Sequence, residues 1–258
     1  MDIRDFTPGF FSLEGKSAIV TGGNTGLGRA FSLALATSGA DVLVPSLVDD
    51  DGVTRELVEA AGARYASLHG DVTQPGVPKL VVDTCVEQLG SVDVLVNSAG
   101  VCPTADVLEF GRDEWDATVA VNLTAAFEMS YEAARRMVPQ RSGKIINVCS
   151  LFTFLGGRRS PAYAATKHGI AGLTRAYCDE LAQYDIQVNG IAPGYYATAL
   201  TEATRSDPEE SRRILEHVPA GRWGDPADLM GAVVFLASRA SDYVNGHILT
   251  VDGGYLVR

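Results

Sequence analysis

The chain lacks any C-x-x-C pair, any cluster of His with Cys, any run of Lys or Arg, and any long apolar stretch. Each absence excludes something. Cys85, Cys102, Cys149 and Cys178 stand apart, which reads as free thiols in a reducing compartment rather than a disulfide framework or a metal site. Lys and Arg number 21 against 32 Asp and Glu, a net charge of −11, so no basic face is available for a nucleic acid. The apolar run at 232–237 is far too short to span a bilayer. Residues 1–11 include Asp2, Arg4, Asp5 and Pro8, not the apolar core of a signal peptide. These features lead one to expect a cytoplasmic protein without nucleic-acid, membrane or metal partners.

Short β-rich apolar runs at 17–21, 42–44, 65–68, 92–96, 144–148, 187–191 and 247–251 alternate with amphipathic stretches. The helical patterns fall at 27–38, 53–60, 77–88, 115–138, 162–183 and 226–237. Continuous apolar strands separated by helices imply a parallel sheet covered on both faces. The expected architecture is a single-domain, doubly wound α/β fold of Rossmann type with a seven-stranded parallel sheet over residues 1–258. Residues 195–217 break the rhythm with Pro208 and a charged centre. They are either a mobile substrate lid or a solvated pair of surface helices.

The chemistry-bearing residues sit at the predicted strand ends. Thr21-Gly22-Gly23-Asn24-Thr25-Gly26-Leu27-Gly28 follows the first strand and opens a helix, a turn suited to a pyrophosphate at the helix N-terminus. Ser46 falls where a ribose 2′-hydroxyl would be read. Asp49, Asp50 and Asp51 follow, with no basic residue in sequence before Arg55, which favours NAD over NADP unless those aspartates simply face water. Asp71-Val72 closes the third strand, with Asp71 either accepting from an adenine amino group or capping the next helix. Asn97-Ser98-Ala99-Gly100 closes the fourth and Pro193-Gly194 the sixth, with Thr198 just beyond. Asn122 lies inside an apolar helix, where its amide either bends the helix by bonding backbone or holds a water.

Tyr163 and Lys167 lie four apart, with Ser160 and Pro161 as helix cap and first helical residue. A phenol ionises only near pH 10, so a base role needs a nearby cation to lower that value. Taken alone, the pair also reads as a half-buried ring beside a solvated amine. Arg158 and Arg159 either fork onto a substrate carboxylate or form a solvated surface pair.

Together these segments resemble the short-chain dehydrogenase/reductase family over essentially the whole chain. Its T-G-x-x-x-G-x-G matches Thr21, Gly22, Gly26 and Gly28, and its N-N-A-G matches Asn97, Ala99 and Gly100, with Ser98 in place of the second Asn. Its catalytic set matches Asn122, Ser150, Tyr163 and Lys167, and its P-G-x-x-x-T matches Pro193, Gly194 and Thr198. The resemblance implies that Tyr163 moves the proton, Ser150 holds the substrate oxygen, Lys167 favours phenolate and holds the nicotinamide ribose, and Asn122 secures a water.

Phe11 to Lys16, Pro219 to Gly224, Ser241 to Gly246 and Val251 to Gly254 resemble the sugar-acid branch of that family. That implies a homotetramer moving a hydride between NAD(H) and a small sugar acid such as 2-dehydro-3-deoxy-D-gluconate, or else gluconate or another polyol or sugar. Pro103 and Thr104 stand where the branch often carries two arginines. A non-catalytic NAD(H)-binding sensor is the contrasting reading; such proteins usually lose one of the four catalytic residues, and all four are here.

Overall fold

A computed structural model describes residues 3–258. Seven strands, β1 (Ser17–Val20), β2 (Asp41–Ser46), β3 (Tyr65–His69), β4 (Val94–Asn97), β5 (Gly143–Val148), β6 (Ile186–Pro193) and β7 (Ile248–Val251), form one sheet in the order β3-β2-β1-β4-β5-β6-β7. Every pairing is parallel, as the uninterrupted apolar runs anticipate. Chain order reverses between β1 and β4, so a crevice is expected outside the carboxyl ends of those two strands.

The helices are α1 (Gly26–Thr37), α2 (Val53–Ala60), α3 (Val77–Leu89), α4 (Arg112–Val119), α5 (Ala125–Gln140), α6 (Pro161–Leu181), α7 (Glu202–Ser206), α8 (Pro208–His217) and α9 (Met230–Ala237). Successive residues of β1 serve opposite layers. Ala18 and Val20 pack with Phe31, Leu35, Val233 and Leu236, on the side of α1 and α9. Ile19 packs with Val81, Val82, Met129 and Met137, on the side of α3 and α5. This is the two-residue alternation of a strand buried on both faces.

Two elements depart from the sequence reading. The second strand runs on to Ser46, because Pro45, which has no N–H to give, still accepts from Gly22 N at 2.9 Å through its carbonyl. The helix expected over 115–138 is really α4 and α5 joined by a π-helical turn at Ala120–Thr124, with Asn122 buried in it. Residues 195–217 hold α7 and α8 and only an isolated bridge, Tyr196 to Gly224. Among the described residues no helix is long and apolar enough to cross a membrane.

Candidate active site

The turn after β1 is built for close approach. Gly22 and Gly26 adopt φ of 63° and 48°, in the left-handed region where glycine alone is comfortable. A Cβ on Gly28 would lie 2.3 Å from Gly22 O, so a side chain there would push the turn apart. Thr25 starts α1 without a side-chain cap, which leaves the first-turn N–H groups to an incoming anion. Leu27 packs against the core on the α1 side. Asn24 is buried; its Nδ2 donates to Val48 O at 2.7 Å, while its Oδ1 has no partner. Open first-turn donors and left-handed glycines fit a pyrophosphate, while the orphaned Oδ1 of Asn24, an acceptor, suits a donor such as a nucleotide hydroxyl or amino group.

Around the exit of β2 the expectation needs correcting. Ser46 Oγ accepts from Val48 N. The three aspartates do not simply face water: Asp49 meets His69 Nδ1 at 2.9 Å and Asp50 accepts from Tyr65 Oη at 2.8 Å. Asp51 accepts from Arg29 Nη2 with both oxygens, at 2.8 and 2.9 Å, and from Val53 N at 3.1 Å. That guanidinium comes from α1, so a basic group stands beside the loop although none precedes Arg55 within it. Asp71 accepts from Thr73 N, Thr73 Oγ1 and Gln74 Nε2, which anchors the turn ahead of α3 and holds its carboxyl below the usual range. Val72 beside it is buried.

The end of β4 serves the core as much as the crevice. Asn97 Nδ2 donates to Asn147 Oδ1 at 2.8 Å and to Ser130 Oγ at 3.0 Å, so its side chain faces α5 and β5. Asn147 Nδ2 continues to Thr174 Oγ1 at 2.9 Å. Ala99 N and Ser98 N both donate to Thr21 Oγ1, and a Cβ on Gly22 would sit 3.4 Å from Ala99 Cα. The two loops touch backbone to backbone.

The Asn122 side chain bonds the backbone of a neighbouring loop. Its Oδ1 accepts from Val101 N at 2.8 Å and its Nδ2 donates to Val101 O at 2.9 Å. The partner lies on another loop, so the amide clamps that loop to the π-helical turn, an irregularity that recurs at functional sites. A Cβ on Gly100 would lie 3.4 Å from Asn122 Oδ1 and 4.0 Å from Lys167 Nζ, which brings these three residues together.

Ser150 follows β5 in extended backbone and starts the turn Leu151–Thr153. Thr153 Oγ1 accepts from Ser150 N and donates to Lys167 O, locking that turn to α6. On α6, Lys167 Nζ lies 5.3 Å from the Tyr163 ring centroid and donates to Val148 O at 2.6 Å. The two side chains share one face, as a spacing of four requires. Phe152 meets the Tyr163 ring edge-on at 5.8 Å. Ser160 starts α6 without its side chain; its Oγ accepts from Cys102 Sγ at 3.7 Å instead.

The electrostatics overturn one expectation. Burial pushes the Tyr163 phenol above its ordinary value, with a hydrogen bond from Ser150 opposing and Cys102 and Cys149 adding to the rise. Burial also pulls Lys167 below its ordinary value, against the two thiols. Desolvation disfavours the charged form of each. An amine that loses its proton before the phenol ionises brings no charge to help it, so the expected lowering of Tyr163 is absent from the protein alone.

Pro193 ends β6 and Gly194 follows it, where a Cβ would lie 2.6 Å from Asp252 Cα, which requires glycine. Thr198 N donates to Thr201 Oγ1 at the start of the next turn. Arg159 has a left-handed backbone, φ 65°, and its Nε meets Asp106 Oδ1 at 3.2 Å while its carbonyl accepts from Ala105 N. It clasps two loops and so is not a free carboxylate reader. Arg158 is exposed, and no partner meets it among the described residues.

Residues 22–256 match a family model described as enoyl-(acyl carrier protein) reductase. The chain belongs to the short-chain dehydrogenase/reductase family, a class of oxidoreductases. It is 62% identical over 256 residues to the uncharacterized oxidoreductase YgcW of Escherichia coli K12, covering 99% of this chain and 98% of that one. It is 48% identical over 250 residues to 2-dehydro-3-deoxy-D-gluconate 5-dehydrogenase of the same strain, covering 96% and 98%. A gluconate 5-dehydrogenase from Burkholderia cenocepacia J2315, solved with NADP and tartrate, superimposes with a TM-score of 0.92 at 36% identity, covering 96% and 98%.

Asn147, Thr174, Arg29 and Asp106 escaped the sequence reading. Only Asn147 left a signal, a polar residue inside an otherwise apolar strand. Replacing Asn122 with Ala leaves the N–H and C=O of Val101 unpaired, and urea denaturation should show a loss of about 1–3 kcal/mol. Unchanged stability would contradict the clamp.

Proposed function

We propose that this protein is an NAD(H)-dependent dehydrogenase/reductase of a small sugar acid in the 2-dehydro-3-deoxy-D-gluconate class. The observation that carries the reading is Tyr163 and Lys167 on one face of α6, with Ser150 near enough to favour the phenolate. The substrate class draws on the relative of that name at 48% identity and on the structure holding tartrate, itself a small hydroxy acid. A relative named 5-keto-D-gluconate 5-reductase, 40% identical, supports gluconate as the second choice. The acidic loop after β2 supports NAD, although the Burkholderia relative was solved with NADP.

Gly22, Asn24, Gly26, Leu27 and Gly28 hold the pyrophosphate, Ser46 the adenosine ribose, and Asp71 and Val72 the adenine. The backbone of Asn97, Ala99 and Gly100 flanks the nicotinamide ribose, and Pro193, Gly194 and Thr198 border the carboxamide. The bound nicotinamide supplies the hydride acceptor or donor. The side chains supply the proton and the positioning. Ser150 Oγ holds the substrate oxygen, and Tyr163 Oη takes its proton on oxidation or returns it on reduction. Lys167, fixed by Val148 O, orients the ribose beside that phenol, and Asn122 holds the loop that walls the site.

Arg158 reads the substrate carboxylate, with Arg159 and Asp106 fixing the turn beneath it. Residues 195–217 cover the site as a lid. The shallow burial of its two helices supports this, since α7 buries no residue and α8 only Ile214, while Tyr196 roots the segment in the core. Four free thiols accord with work in the cytoplasm. Homotetramer assembly is supported by exposed Phe127 and Tyr131, stacked at 6.4 Å on α5 with Tyr177 edge-on.

Purified protein with NAD and a panel of 3-deoxy and aldonic acids should generate NADH, and Tyr163→Phe should cut turnover by about 10²–10⁴-fold. Nucleotide binding should survive in that variant; turnover near the wild-type rate would refute the role of Tyr163. Because burial raises the phenol, its proton stays on at neutral pH. Rates of oxidation should therefore climb with pH, while reduction stays level across about pH 7–9. A level oxidation profile would count against this. For Arg158→Gln, KM for the acid should rise about tenfold with kcat and neutral polyols unaffected, and an equal change for both substrate types would exclude a carboxylate contact.

A further inference from the structure

Arg29 is the most heavily bonded cation near the crevice, and no catalytic role accounts for it. Its Nε donates to Asn24 O at 3.0 Å and to Thr54 Oγ1 at 2.9 Å. Its Nη2 donates to Asn24 O at 2.6 Å and to both oxygens of Asp51. One guanidinium thus ties the glycine turn to the loop between β2 and α2. Asn24 reaches the same loop at Val48 O, two residues past Ser46, so the cation stands close to the place where an adenosine ribose would be read.

The loop is held from three directions. His69 and Tyr65 of β3 engage Asp49 and Asp50, and Arg29 of α1 engages Asp51. Asp50 Oδ1 also accepts from Gly52 N, closing the turn into α2. Of the three carboxylates in this loop, Asp51 alone meets the fork, at Nη2, and no bond reaches Nη1 among the described residues. A phosphate dianion arriving there must compete with the Asp51 charge for the guanidinium and face the remaining negative charge of the loop. A ribose hydroxyl is neutral and meets neither cost.

Resting on the dinucleotide reading above, we propose that Arg29 is a latched phosphate reader. Asp51 occupies the guanidinium, and this latch sets the preference for dinucleotides without a 2′-phosphate. Without the Asp51 charge, Arg29 keeps its anchors on Asn24 O and Thr54 Oγ1, and its Nη2 is left poised for a phosphate. The preference is stored in a removable ion pair between α1 and the loop, not in the residue at the end of β2, which is a serine.

The test is titration calorimetry with 5′-AMP and 2′,5′-ADP, alongside NAD and NADP, on the full chain. In Asp51→Asn, 2′,5′-ADP and NADP should bind on the order of tenfold tighter, with 5′-AMP and NAD within about twofold of wild type. Adding Arg29→Gln to that variant should erase the gain. Arg29→Gln alone, which serves if Asp51→Asn does not fold, should weaken 2′,5′-ADP and spare 5′-AMP. Unchanged 2′,5′-ADP affinity in Asp51→Asn with 5′-AMP still bound, or a gain that persists in the double variant, overturns the latch. Wild-type protein that binds neither 5′-AMP nor NAD defeats the dinucleotide reading itself, a result distinct from failure of the latch.

Discussion

The hydrogen bond from Lys167 Nζ to Val148 O, 2.6 Å long, fixes the geometry of everything around the site. A buried amine needs an acceptor, and the last carbonyl of β5 provides one. This bond ties α6 to the sheet end, while Ile170 and Ala171, packed with Cys149, Ala192 and Ile248, set which face of the helix meets the sheet. Tyr163, one turn earlier, is carried onto that face. Thr153 adds a second tie by bonding Lys167 O, which seats Ser150 opposite the phenol.

The loops at the neighbouring strand ends are held by the same kind of constraint. Thr21 gathers the backbone N–H groups of Ser98 and Ala99, and Asn122 clamps both polar groups of Val101. Behind them a buried chain runs from Asn97 through Asn147 to Thr174, joining β4, β5 and α6. Such a network is costly if any member is lost, because the partner is left buried and unpaired. The crevice is thus shaped by core polar bonds before any ligand contributes.

The fold was legible because its signal is local and repeated: each strand is a short apolar run and each helix an amphipathic one. Glycine spacing located the first turn, and a spacing of four placed Tyr163 beside Lys167. What stayed hidden depends on contacts distant in sequence. Arg29 meets Asp51 across the β2 strand, and Arg159 reaches Asp106 over a long intervening stretch, so neither pairing leaves a pattern in the chain. The π-helical turn at Asn122 was invisible for a related reason, since Ala, Val, Asn, Leu and Thr carry no residue-type mark that separates a wide turn from an α-helical one. The direction of the Tyr163 shift was misjudged because it depends on how deeply two groups are buried, and spacing does not report depth.

Tyr163 therefore emerges as a phenol that burial keeps protonated, oriented by a lysine that is itself desolvated. Ultraviolet difference titration of the free wild-type protein against Tyr163→Phe isolates this one ionisation. The account predicts that the phenolate band of Tyr163 emerges only above the ordinary phenol value of about 10. A band appearing near neutral pH in the free protein would contradict it, and would return control of the proton to the charge on Lys167.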